Sequence, residues 1–114
     1  MLAAALGSVH GIYKGKPNIK TDVMKTITKE TNMPLVLHGG SGIPEETLKK
    51  AVESGVVKAN FNTELQLGWH EDVLKFVKEN ENVYDPRKVI SSGEEGLKKV
   101  AREYIRILGS KGKA

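Results

Sequence analysis

Cysteine is absent from the 114 residues, which rules out disulfides and thiolate metal sites. Aromatic side chains are scarce, at 5%, and they are not interleaved with the basic residues, so a platform on which bases could stack is not expected. Long apolar runs are missing as well. The run from Leu2 to Leu6 is too short to cross a bilayer, and no basic leader stands before it. The expectation is a cytoplasmic chain that has neither a membrane nor a nucleic acid as partner. No one sign of charge dominates. Eighteen basic and 14 acidic residues leave a net +4, the balance of a solvated mixed surface. Only Lys111 and Lys113, in a glycine-bearing tail, make a basic end.

What the chain does have is punctuated alternation. Leu2 to Val9 is small and apolar throughout, which predicts a buried strand. Pro17 sits in a loop. Thr21 can cap a helix running to about Asn32, with Val23, Met24 and Ile27 on one face. Leu35 to Leu37 reads as a second strand and Gly39 to Gly42 as a glycine-rich loop. Pro44, Glu45 and Glu46 suit the start of a helix with Leu48, Ala51 and Val52 on its apolar face, ended by Gly55. Val56 to Ala59 is a third strand. Thr63 with Gln66, and Ser92 with Glu95, match capping boxes ahead of two further helices. Leu65, Trp69, Val73, Phe76 and Val77 line the first of these, and Tyr84 to Arg87 is a turn. Leu97, Val100, Ala101, Tyr104, Ile105 and Leu108 line the second, which Gly109 stops. Strands alternating with helices predict a parallel α/β sheet. Three strands alone would leave long apolar edges, so the pattern suits the last third of a larger barrel better than a finished domain.

Polar groups recur where these strands end. His10-Gly11 follows the first, His38-Gly39 the second, and Asn60, Asn62 and Thr63 the third. Parallel α/β folds keep their chemistry at that edge. Neighbouring parallel strands aim equivalent residues the same way, so the two imidazoles could share a metal, or each could simply be a hydrogen-bonded structural histidine. A catalytic zinc generally takes three protein ligands. His70, on a helix, reads as solvent-facing, so a third ligand is expected outside this chain. The loop Gly39-Gly40-Ser41-Gly42 precedes a helix start, where backbone N–H groups can cradle an anion, although such loops also serve as tight turns. Lys14 could add a cation. The helix start at Thr63 lies on the same edge.

Four segments together carry a resemblance. They are Ala5 to Gly15 (with Gly7-Ser8-Val9-His10-Gly11-Ile12-Tyr13-Lys14 at its centre), Pro34 to Pro44, Lys58 to Glu64, and Tyr84 to Lys88. In this order they resemble the carboxyl-terminal part of class II, zinc-dependent fructose-bisphosphate or tagatose-bisphosphate aldolases. The likeness covers nearly the whole chain. It implies a (β/α)8 TIM barrel, of which residues 1–114 would be an incomplete domain supplying about the last three strand–helix units and the terminal helices.

The resemblance also implies roles. His10 and His38 match two zinc ligands. Gly11, Lys14, Gly39 and Ser41 match the pocket for the phosphate of dihydroxyacetone phosphate. Asn60 matches a residue that contacts the substrate hydroxyl or enediolate oxygens, and Asn62 and Thr63 match the next part of the phosphate site. Arg87 matches an arginine for the distal phosphate, reached across a subunit interface. Gln66 stands where some relatives carry a second such arginine, and Ser8 replaces a more usual threonine. Zinc would polarise the substrate ketone as a Lewis acid, and the whole protein would be a homo-oligomer. The aspartate that moves the proton, and a further zinc-binding histidine beside it, have no match here. The chain is therefore expected to be inactive by itself. A self-standing phosphate-binding or regulatory module and one half of a split aldolase are the alternatives.

Overall fold

The computed structural model describes residues 1–11 and 13–113. Ile12, within the first motif, and Ala114, at the end of the expected domain, lie outside the described residues. Helix α1 spans Thr21–Thr31, strand β1 Leu35–Leu37, helix α2 Glu45–Glu53 and strand β2 Val56–Ala59. Helices α3 (Thr63–Glu79), α4 (Pro86–Ser91) and α5 (Glu94–Ile107) follow. Both strands appear within the predicted bounds. They pair in parallel, Leu35 with Val56 and Leu37 with Ala59, around a bulge that leaves Val57 as the extra residue. α2 is the crossover between them.

The predicted strand Leu2 to Val9 does not form. Only Leu2 bridges to Leu35, through Leu2 N–H to Pro34 O and Val36 N–H to Leu2 O, both 2.9 Å. Beyond it the chain stays extended in burial pattern, with Leu2, Ala4 and Leu6 turned toward the core and Met1, Ala3 and Ala5 exposed. The uniform apolarity of this run requires cover on both faces and a neighbour on each edge. The described residues give it cover on one face and a single contact to β1.

The core gathers Leu6, Met24, Leu35, Leu37, Ile43, Leu48, Ala51 and Val56. α1 contributes Met24, while Val23, expected on the same face, is 40% exposed. α1 is fastened to the α2–β2 turn by the Thr28 hydroxyl, which donates to Ser54 O at 2.9 Å. Gly55, at φ 105°, passes so close to Thr28 that a side chain there would collide with it. α5 reaches the core through Tyr104 and Ile107 only.

The helix starts differ from expectation. Thr21 and Thr63 are the first helical residues, not caps: Lys20 and Asn62 occupy the cap positions without side-chain bonds. Ser92 is not the N-cap of α5: Gly93 takes that position, while Ser92 closes α4, its hydroxyl donating to Val89 O at 2.7 Å. The expected turn at Tyr84 to Arg87 is the entry to the short helix α4, where the Asp85 carboxylate accepts the Arg87 N–H and Pro86 takes the first helical position. α3 and α5 lie against one another with Gly68 and Gly96 in backbone contact. No side chain of α3, α4 or α5 is buried among the described residues. The radius of gyration is 17.2 Å, against about 13 Å for a compact domain of this length.

Candidate functional site

Register carries the sheet's order past its strands. Asn60 N–H donates to Leu37 O at 2.9 Å, and Gly40 N–H donates to Asn60 O at 3.0 Å. His38 and Asn60, the first residues beyond β1 and β2, therefore stand side by side. The extended segment from Leu2 delivers His10 to the same edge. The result is a cleft of about 140 Å³ lined by His10, Gly11, His38, Gly39, Ser41, Asn60, Asn62, Thr63 and Phe61. A larger hollow of about 460 Å³, beside Asp72, Lys75 and Lys88 between α3 and α4, brings none of the predicted residues together.

The two imidazole rings are tilted at 49° with centroids 6.4 Å apart. Two imidazoles on one zinc, with Zn–N bonds of about 2 Å, hold their centroids roughly 5–6 Å apart. The pair thus stands close to a shared-ion arrangement, and two exposed imidazoles at one cleft fit zinc. The set is incomplete: no group of three His, Cys, Asp or Glu residues able to hold a metal occurs among the described residues. His70 is exposed on α3, away from the cleft. Asn60 Nδ2 lies 3.0 Å from His38 Nδ1. Donating to Nδ1, it fixes the tautomer with the proton on Nε2. A half-turn of the amide would offer Oδ1 instead, taking an Nδ1 proton and freeing the Nε2 lone pair for a metal.

Beside the histidines the backbone forms a cradle. Gly42 N–H donates to the Glu64 carboxylate and Ile43 N–H to Gly40 O. The N–H groups of Gly39 and Ser41 have no hydrogen-bond partner among the described residues. The Ser41 side chain is buried, at 5% exposure, and its Oγ accepts the Asn62 N–H at 3.2 Å. Its own proton is left to donate. The N-terminus of α3 opens at Thr63 without a side-chain cap, adding the positive end of a helix dipole. Donors without acceptors among the described residues, on residues that line one small hollow, suit an anion. Gly39 is required here. Its φ is 63°, and a Cβ would collide with the Val9 carbonyl.

Two predicted residues stand elsewhere. Lys14 is exposed in the loop after His10 and does not line the cleft. Arg87 lies on α4 with its side chain 89% exposed, paired with Asp85 through Nε to Oδ1 at 3.0 Å and one terminal nitrogen to Oδ2 at 2.8 Å. That pairing, side-chain bonds first and the backbone bond second, holds the Asp85 carboxyl below its ordinary range and the Arg87 guanidinium above its own. Tyr13 and Phe61 were not singled out from the sequence. The Tyr13 hydroxyl accepts Val9 N–H at 3.1 Å and donates to Gly39 O at 3.3 Å, tying the His10 loop to the glycine-rich loop. Its place between two quoted motif residues, Gly11 and Lys14, was the available signal.

Residues 1–113 match the family model described as "Fructose-bisphosphate aldolase class-II". The chain is 45% identical over 113 residues to the 6-phospho-5-dehydro-2-deoxy-D-gluconate aldolase of Bacillus subtilis (strain 168), covering 99% of this chain and 39% of that one. It is 46% identical to the fructose-bisphosphate aldolase of Geobacillus stearothermophilus, with the same coverage. Among solved structures, the YdjI aldolase from Escherichia coli K12 superposes with a TM-score of 0.78 at 35% identity, over 98% of this chain and 40% of that chain. The fructose-bisphosphate aldolase from Campylobacter jejuni gives 0.76 at 26% identity, over 94% and 39%. The chain thus spans about two fifths of the length of the curated relatives it matches.

Proposed function

The chain belongs to the class II fructose-bisphosphate aldolase family, a family of carbon–carbon lyases, and from that premise we propose that it supplies the metal-and-phosphate side of an aldolase site. Residues 1–114 are, in this reading, the carboxyl-terminal part of a (β/α)8 barrel. The observation that carries the reading is the shared cleft, where His10 and His38 adjoin Gly39 and Ser41, whose N–H groups have no partner among the described residues. His10 and His38 would hold zinc together with a ligand from outside these residues. Zinc, when bound, supplies Lewis-acid polarisation of a ketone.

The chain's own residues hold the substrate against that ion. Gly39 and Ser41 N–H, the Ser41 hydroxyl and the first turn of α3 at Thr63 take the phosphate. Gly11 and Asn62 border it, while Lys14 stands in the loop after His10, outside the cleft. Asn60, already beside His38, orients a substrate hydroxyl. Fixing the phosphate directs binding energy into orientation. No carboxyl group among the described residues lines the cleft, and in this reading the proton to or from the aldehyde oxygen is moved by an acid outside these residues.

The two substrates in the relatives' names share one half. Fructose 1,6-bisphosphate has its ketone next to a phosphorylated carbon, and so does 6-phospho-5-dehydro-2-deoxy-D-gluconate. Retro-aldol cleavage of the bond once removed from the ketone releases dihydroxyacetone phosphate from either, and from tagatose 1,6-bisphosphate too. The cleft reads this common half. Arg87, turned away on α4, is assigned to the distal anionic group, from across an interface in a homo-oligomer. The elongated shape and unburied helices favour a part of a larger enzyme over a self-standing phosphate-binding module.

The test is complementation. The chain is mixed with the preceding portion of the Geobacillus relative and zinc, and cleavage of the bisphosphates and of the gluconate phosphate is followed. Neither piece alone is expected to turn over, and the mixture is expected to show chelator-sensitive turnover. Turnover by the 114-residue chain alone would overturn the assignment of the acid and third ligand to the other piece.

A further inference from the structure

Beside the glycine-rich loop lies a second hollow, of about 270 Å³, bordered by Ile43, Glu64, Glu103 and Tyr104. Glu64 stands in the first turn of α3, and both its carboxylate oxygens are engaged. Oε1 accepts the Gly42 N–H at 2.6 Å. Oε2 accepts the Tyr104 hydroxyl, from α5. The Tyr104 ring in turn stacks on Phe61, with centroids 3.8 Å apart and planes at 24°. Phe61 lies so close to Gly40 that a Cβ there would come within 2.6 Å of its ring. Gly40 and Gly42, alternate residues of one loop, therefore rest on a single column of Phe61, Tyr104 and Glu64.

No salt bridge reaches Glu64 among the described residues. The other charged groups at the hollow, Glu45 and Glu103, are also acidic. The carboxylate is held by an N–H, an O–H and the positive end of α3. Burial first, and the Glu64 bond second, raise the Tyr104 hydroxyl above its ordinary range, so it remains a donor at neutral pH.

We propose that Glu64 and Tyr104 are positioning residues, a clasp that fixes the back of the loop so that the Gly39 and Ser41 N–H groups converge on an anion at the front. The inference rests on the anion reading of the cleft and adds α5, remote from the chemistry, to the parts that set affinity. With Gly42 N–H tied behind, the loop cannot turn that donor forward or swing its neighbours away. Preorganised donors bind without the cost of ordering them.

The experiment titrates the full 15N-labelled chain with inorganic phosphate and follows the amides of Gly39, Ser41 and Gly42. Wild type is expected to show saturating shifts at Gly39 and Ser41. Glu64→Ala and Tyr104→Phe are expected to weaken phosphate binding about tenfold, the scale of one charge-assisted hydrogen bond, with unchanged far-UV circular dichroism. Glu64→Gln, whose amide can accept from Gly42 and meet Tyr104, should stay within about threefold of wild type. Tyr104→Phe keeps the stack on Phe61 and carries the test should Glu64→Ala fail to fold. Wild-type affinity in folded Tyr104→Phe, with Gly39 and Ser41 still shifting, would overturn the clasp alone. Absence of any shift in wild type would overturn the anion reading and the clasp with it.

Discussion

Leu35, Leu37, Leu48 and Val56, in the strands and in α2, expose 5% or less of their surface. Leu67, Leu74, Val77, Leu97 and Ile105, in α3 and α5, expose between 39% and 50%. Val77, Leu97 and Ile105 stand at the helical spacing read from the sequence, whereas Leu67 and Leu74 lie off that face, and of the two sets only the first is covered. The β1–α2–β2 unit closes against α1 and the extended segment before it. The α3–α5 pair closes chiefly against itself, where Gly68 meets Gly96 and Tyr104 bonds Glu64, and touches the core through Tyr104 and Ile107. Stability is therefore concentrated in the first half, while the candidate cleft straddles the junction. Its histidines and glycine-rich loop belong to the well-packed half, and Thr63 and the Glu64 support belong to the helical half.

The strongest way to break this comparison is Leu48→Ala. Leu48 is 1% exposed, and emptying such a site costs about 3 kcal/mol, a large part of the stability of a small domain. Urea unfolding should show the loss across the whole chain, helices included. Retention of α3 and α5 ellipticity at the lowered midpoint would mean that the helical half stands by itself.

Gly96→Val attacks the other half. A side chain there meets Gly68 backbone and the Asp72 carboxylate, and overpacking of this kind costs about 2 kcal/mol. α5 should swing off, with loss of the Phe61–Tyr104 stack, while the amides of Leu35 and Leu37 keep their hydrogen-exchange protection. Equal loss of protection in β1 and α5 would show a single cooperative unit.

The smallest effect sharpens the comparison at α4. Asp85 is held below its ordinary range by Arg87. A depressed carboxyl contributes stability that is complete above its unfolded value, about 3.9, and is lost as pH falls through the lower folded value. Asp85→Asn should abolish an acid transition in the Arg87 amide shift below about pH 4 and leave the β1 amides unmoved. A surviving transition would place its source in another group.

Much of this was legible locally. β1, β2, the glycine-rich loop and the stop at Gly109 follow from short-range pattern, and pattern aligned His10, His38, Ser41, Asn60, Asn62 and Thr63 on one edge. The capping boxes misled because a cap depends on the φ/ψ of the residue before it: Asn62, not Thr63, turns the chain into α3. Leu2 to Val9 misled because apolarity specifies a need for neighbours and does not provide them. Glu64 and Tyr104, 40 residues apart, share no local signal.

The sequence by itself determined β1 and β2, the helix between them and the family to which the chain belongs, because each depends on neighbouring residues or on motifs read in order. Only the tertiary structure decided that Lys14 and Arg87 stand outside the cleft, that Gly68 and Gly96 join two helices, and that a tyrosine on α5 braces a loop beyond β1. Those outcomes rest on which backbones approach in space, and one-dimensional spacing does not encode that.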